Sequence, residues 1–240
     1  MKVRRDKKIY IIGGGQGGGK AACCLAALGY RHLTVVDFDV VEKSDIGKAP
    51  DVFKKKHLKM KKALAVKESL EDSFSDINVD AISTSFSDFL AQVSTHNACA
   101  VLDMTDTMVS KAKVVEFCIE ENIPYAGGGM VAYKIDIVVS PSLQDSACLF
   151  CIEDYEQSYY DEKEKASEPS CQKRDRAGFI PTSNLSASIG VALLCIEVDK
   201  LLTVGQKQTT HTSLLVYPTP KHVKTVTVKK NPSCIICGRT

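Results

Sequence analysis

The chain of 240 residues has no tryptophan and no internal repeat, and none of its apolar runs approaches the roughly 18 residues of a membrane span. A membrane-spanning helix is therefore not expected. Formal net charge is only +2, which argues against a dedicated nucleic-acid binder. The opening residues Met1-Lys2-Val3-Arg4-Arg5 provide no signal-peptide core ahead of the first apolar run, so a cytoplasmic location is expected. What remains is an ordinary globular composition, 44% apolar and 25% charged, with enough chain to bury a large core. A single domain over 1–240 follows as the expectation.

Cysteine, by contrast, is plentiful at ten residues. Cys23, Cys24, Cys99, Cys118 and Cys195 lie in apolar segments, where cysteine behaves as a small hydrophobe. Cys148 with Cys151 and Cys234 with Cys237 form two C-x-x-C pairs, the second following the turn sequence Asn231-Pro232-Ser233. Four thiolates in two such knuckles suit one tetrahedral, structural zinc ion; two separate redox dithiols are the competing reading. Cys171 stands apart in a polar segment near Arg174 and Arg176. Those cations favour a reactive thiolate, and an exposed cysteine without a role is the alternative.

The most informative stretch is Ile11-Ile12-Gly13-Gly14-Gly15-Gln16-Gly17-Gly18-Gly19-Lys20. An apolar run enters the glycines and an alanine-rich segment leaves them, the pattern of strand, tight turn and helix. Gly13, Gly15 and Gly18 have the spacing G-x-G-x-x-G, which lets backbone N–H groups approach a phosphate at a helix N-terminus. A second apolar run, Leu33 to Val36, ends in Asp37, suited to a ribose hydroxyl. Ordinary dinucleotide binding remains open at this point.

Strand and helix patterns then alternate. Val40 to Pro50 reads as a loop, Lys54 to Leu70 as a lysine-rich solvated helix, and Val79 to Thr84 and Ala98 to Leu102 as strands. Val109 to Glu121 reads as a helix and Ile123-Pro124-Tyr125 as the next strand. Such alternation predicts a Rossmann-like, doubly wound, mostly parallel α/β sheet. Tyr133, Ile135, Ile137 and Val139 are spaced by two, as in a half-exposed antiparallel strand that extends the sheet. The polar stretch within 151–182, centred on Asp154 to Arg176, reads as a mobile crossover loop, and Asn184 to Leu202 as a helix. Asp106, just past an apolar strand, could hold magnesium on a triphosphate or cap the following helix.

Taken together, these motifs resemble the ThiF/MoeB/HesA family of ubiquitin-activating-enzyme-like adenylyltransferases, from about Lys8 to Gly238. The glycine loop, the Leu33-to-Val41 segment, Asp103-Met104-Thr105-Asp106, Lys62 before Ala63 and the closing Asn231-to-Gly238 knuckle carry the resemblance. It implies ATP-dependent adenylation of the C-terminal glycine of a ubiquitin-like or sulfur-carrier protein, with ATP, magnesium and zinc as cofactors and a homodimeric assembly. The nucleotide site it implies comprises Gly13, Gly15, Gly17, Gly18, Asp37, Asp39, Asp45, Lys48, Lys62 and Asp106. Asp106, Lys62 and Lys48 would serve catalysis, with Cys171 as the nucleophile if the acyl group passes through a cysteine. Asp45 and Lys48 stand where the family usually has asparagine and arginine. A catalytically degenerate member that binds a nucleotide or a carrier protein is the alternative.

Overall fold

The computed structural model describes residues 6–92, 97–131, 134–164, 184–215 and 223–239. One eight-stranded sheet runs through them. Its strands are β1 (Lys8–Ile12), β2 (His32–Val36), β3 (Asn78–Ile82), β4 (Ala100–Asp103), β5 (Tyr125–Val131), β6 (Lys134–Ser140), β7 (Thr210–Leu215) and β8 (Val223–Thr227). In space they lie in the order β3-β2-β1-β4-β5-β6-β7-β8. The first five are mutually parallel, and β5 through β8 pair antiparallel. The chain therefore begins in the middle of the sheet, winds outward to β3, then returns past β1 to β4. Ligands of open α/β sheets bind where the winding reverses, outside the carboxyl ends of β1 and β4.

Alternation along the strands supplies two cores. Ile9, Ile11, Leu33, Val35, Leu102 and Ile135 face one side, where they meet α1 (Gln16–Leu28), α3 (Lys62–Glu71) and α7 (Asn184–Thr203). Tyr10, Ile12, Val101, Tyr125 and Val138 face the other, where they meet α5 (Met108–Glu120) and the Cys148 and Cys234 knuckles. Among the described residues no helix is long and apolar enough to cross a membrane. The doubly wound parallel sheet with an antiparallel extension is the architecture anticipated from the alternating pattern.

Local departures have identifiable causes. Val40 to Pro50, expected as a loop, contains a short helix, α2 (Lys43–Lys48), begun by a reciprocal capping box between Glu42 and Asp45. Lys54 to Leu70 is not one helix. A 3-10 turn at Lys55–His57 is followed by Lys59 at φ 69°, and α3 starts only at Lys62. Bonds to the chain between β2 and α2 impose this break: Lys59 donates to the Val41 carbonyl and Val41 to that of Met60. The helix α4 (Phe86–Gln92) was not anticipated; its Phe89 is buried against Tyr10. Strand β6 is more buried than its alternating pattern implies, because Val138 and Val139 are covered on opposite faces. Tyr133 lies outside the described residues.

The expected crossover loop is also corrected in its first part. Leu149–Cys151 forms a 3-10 turn, and α6 (Glu153–Glu164) follows directly. Glu153, Asp154 and Glu156 fall in its first turn, where negative charge favours a helix, and the otherwise polar segment buries Tyr155. Residues 165–183 lie outside the described set, and Cys171 with them.

Candidate nucleotide site and cysteine centre

The glycine loop leaves β1 at Gly13, whose φ of 97° suits glycine, and whose N–H donates to the Val36 carbonyl at 2.9 Å. A side chain at Gly18 is impossible without rearrangement, because its Cβ would fall 1.8 Å from the Gly13 carbonyl oxygen. At Gly15, the N-cap of α1, a Cβ would meet nothing within 4 Å. This is the geometry of a turn that packs tightly inward and stays open outward. A Cβ at Gly17 would fall 2.7 Å from the Met104 side chain, just past β4, so loop and strand end share one mouth.

Asp37 is tied to that loop. Its Oδ2 accepts the Gly14 N–H at 2.6 Å, and its Oδ1 accepts the Asp39 N–H at 2.8 Å. Burial raises the Asp37 pKa, while those two N–H donors and the Lys62 ammonium oppose the rise. Lys62 opens α3 with its N–H on the Asp39 carbonyl, and its ammonium lies 3.4 Å from Asp39 Oδ2 and 3.6 Å from Asp45 Oδ2. Burial alone would lower the Lys62 pKa, but Asp45, Asp37 and Asp39 outweigh it and hold the side chain cationic. Lys48 ends α2 with an exposed side chain, and its carbonyl accepts the Gln16 amide at 2.9 Å, which brings α2 beside the loop.

Asp106 is exposed at the end of the β4 loop. The N-cap of α5 is Thr107, whose hydroxyl oxygen accepts the Ser110 N–H at 3.1 Å, so the side-chain cap expected as one alternative for Asp106 falls one residue later. Behind it, Asp103 is buried. Its carboxylate accepts the Thr105 N–H at 3.0 Å and hydroxyl at 2.6 Å and the Tyr125 hydroxyl at 3.0 Å, with the buried Lys111 ammonium 3.7 Å away. Burial, then the Asp103 charge, raises the Tyr125 pKa well above its ordinary value, so the phenol stays a donor. This support was missed in sequence because strand-end Asp103 reads as one more apolar-strand terminus. Lys20, within the glycine motif, is also committed elsewhere: it is 4% exposed and donates to Asp51 at 2.5 Å.

The four paired cysteines come together across the two knuckles. Cys148 Sγ lies 3.6 Å from Cys234 Sγ and Cys151 Sγ lies 3.4 Å from Cys237 Sγ, with all four sulfurs within 4.8 Å. Thiolates at 2.3 Å from a tetrahedral zinc ion are about 3.8 Å apart, so the set fits such an ion. The contacts run from one motif to the other, which favours a single centre over two separate dithiols. The Asn231 N–H donates to Cys151 Sγ at 3.4 Å, and the Asn231 carbonyl receives the Cys234 N–H, so the turn before the second knuckle shapes the first. All four positions would be filled by protein ligands, as in a structural site.

Across this fold, the model of the ThiF family matches residues 1–236. The chain belongs to the ThiF family. Within that family it is similar to the SAMP-activating enzyme E1 of Haloferax volcanii, 24% identical over 234 residues, 97% of this chain and 81% of that protein. It is also similar to adenylyltransferase and sulfurtransferase MOCS3 of Dictyostelium discoideum, 24% identical over 241 residues, and spans 52% of that protein. Among solved structures, E. coli MccB with ATP superposes at a TM-score of 0.75 and 20% identity, covering 99% of this chain and 68% of that one. PaaA superposes at 0.68 and 17%, over 96% of this chain.

Proposed function

We propose that this ThiF-family chain adenylates the C-terminal glycine carboxylate of a small ubiquitin-like or sulfur-carrier protein. A carboxylate oxygen attacks the α-phosphorus of ATP, the bond to the bridging oxygen breaks, and pyrophosphate leaves with the acyl-adenylate remaining. The observation that carries this reading is the convergence of Lys62, Asp39 and Asp45 beside the Gly14–Asp37 hydrogen bond, which ties the segments leaving β1 and β2 together. The relatives named as a SAMP-activating enzyme and as an adenylyltransferase, and the MccB structure with ATP, support it.

In this reading Gly13, Gly15, Gly17 and Gly18 cradle phosphates and Asp37 takes the ribose. Lys62 and Lys48 offset phosphate charge, and magnesium would be held at Asp106, with Asp39 and Asp45 lining the nucleotide pocket. Zinc in the four-cysteine centre would be structural. The protein would work in the cytoplasm as a homodimer, which sedimentation can check. ATP–pyrophosphate exchange with small proteins ending in Gly-Gly tests the chemistry, and absence of exchange with every carrier or tail peptide sinks it. Onward transfer through Cys171 is the finer step; a Cys171→Ser variant that still transfers the acyl group removes that residue from the path.

A second reading has one specific observation behind it. Three carboxylates, from Asp37, Asp39 and Asp45, act on Lys62, an acidic surrounding for a triphosphate. A module that holds a nucleotide or a carrier without adenylation would tolerate this. Tight carrier binding by calorimetry with no adenylate by mass spectrometry is its signature.

A further inference from the structure

An α-helix leaves its first N–H groups without intrahelical acceptors, and at a functional strand end the identity of the substitute acceptors matters. At the start of α5 they come from two places. Thr107 takes the Ser110 N–H, as described. The other two N–H groups, of Met108 and Val109, donate to the two carboxylate oxygens of Glu162 at 2.9 and 3.3 Å. Glu162 is 54 residues away from Met108, on α6, the helix that grows out of the first cysteine knuckle. A carboxylate at a helix N-terminus is favoured by the helix dipole as well as by the hydrogen bonds.

The helix α6 also has apolar anchors. The helix is anchored by buried Tyr155 and by Tyr159, whose ring meets Phe150 edge-on with centroids 5.6 Å apart. Those contacts would survive loss of the carboxylate. Its loss would free two N–H groups in the first turn of α5, two residues beyond Asp106. An aspartate just before a helix is a good capping residue. Orphaned N–H groups at Met108 and Val109 would draw the Asp106 carboxylate back toward the helix.

We infer that Glu162 is a positioning residue for the nucleotide site. By taking the Met108 and Val109 N–H groups it holds the Asp103–Asp106 loop on its course and keeps the Asp106 carboxylate turned to the magnesium and nucleotide side. The identity of that ligand rests on the adenylation reading above. The effect reaches across the fold, since a residue beyond the cysteine knuckle acts on the end of β4.

Equilibrium binding of ATP over a magnesium titration tests this without requiring any adenylation. Relative to wild type, Glu162→Ala is expected to need about five- to tenfold more magnesium for half-maximal ATP binding, the effect of losing a helix cap that the Asp106 carboxylate then replaces. Glu162→Gln, which keeps one acceptor oxygen, should fall between them and guards against misfolding of the alanine variant. In an Asp106→Ala background the Glu162→Ala change should add nothing, whereas a merely structural role would add its full cost again. Hydrogen exchange at Met108 and Val109 should rise in Glu162→Ala. Wild-type magnesium dependence in both Glu162 variants, or additivity with Asp106→Ala, overturns the inference and leaves the adenylation reading standing. Absence of ATP binding in the wild-type protein overturns both.

Discussion

The Asp45 carboxylate lies 3.6 Å from the Lys62 ammonium while it accepts the Glu42 N–H at 2.8 Å. One side chain thus starts α2 and restrains the cation proposed to meet phosphate. Asp45→Asn keeps an oxygen for the Glu42 N–H and drops the charge, so Lys62 is freed toward ATP. Affinity for ATP at saturating magnesium should rise about three- to tenfold by calorimetry. Unchanged or weaker binding would mean that the charge of Asp45 serves the cation instead. Lys62→Ala should lower ATP–pyrophosphate exchange about a hundredfold, in keeping with loss of one charged donor to a transition state.

The two glycines at the mouth of the loop should respond oppositely. Gly18→Ala puts a methyl where the Gly13 carbonyl oxygen stands, 1.8 Å away, so the β1–α1 turn must open. Loss of a large part of the stability, on the order of 3 kcal/mol, is expected in urea melts. Gly15→Ala meets no protein atom within 4 Å, and its φ of −70° is ordinary. It should fold with an unchanged midpoint yet bind ATP at least tenfold more weakly if phosphate rests on that backbone. Weak binding together with a normal melt is the combination to look for.

His57 gives the fold a pH dependence. Its side chain is fully buried, Nδ1 accepts the Lys54 N–H at 3.1 Å, and Nε2 finds no hydrogen-bond partner among the described residues, with Glu68 3.9 Å away. Burial lowers its pKa below the ordinary 6.5, with Glu68 pulling the other way. Below pH 6.5 the unfolded chain takes up a proton that the folded ring refuses. This contribution to stability is full above pH 6.5 and is lost as pH falls from there through the folded-state value. Thermal melts from pH 7.5 down to 5 should show a decline that His57→Asn flattens, since asparagine can still accept from Lys54 and does not titrate.

How much of this was readable in sequence depended on range. The glycine spacing and Asp37 after Val36 are local signals that lie where strand-turn-helix logic puts them, and the two C-x-x-C pairs, local in spacing, come together as one four-sulfur group. Lys59 defeats such logic: a lysine at φ 69° looks like any other in a lysine-rich run, and the bonds that hold it come from Val41. Asp103 and Glu162 were missed for the same reason, since their partners are 22 and 54 residues away. The acidic α6 reads as a loop in sequence because its average polarity hides two tyrosines that anchor it. Its Glu153 and Asp154 are a usable helix-start signal.

Metal removal offers the last test, and it separates two readings of the cysteines. If Cys148, Cys151, Cys234 and Cys237 hold one zinc ion, native mass spectrometry of freshly purified protein should give one zinc per chain. Cys148→Ser or Cys237→Ser should remove it. Either change leaves a buried set of three thiolates short of a partner, and a cost of about 3 kcal/mol would lower the melting temperature by about 6–12 °C in a chain of this size. Strong chelators should do the same to wild type, and added zinc should reverse it. Two redox dithiols would behave differently: no zinc, an intact mass lower by four hydrogens after mild oxidation, and little response to chelation. The closest sulfur contacts run between Cys148 and Cys234 and between Cys151 and Cys237, and all four sulfurs lie within 4.8 Å of one another, the arrangement one shared ion would draw together. The zinc outcome is therefore the one expected, with the melting shift as its measure.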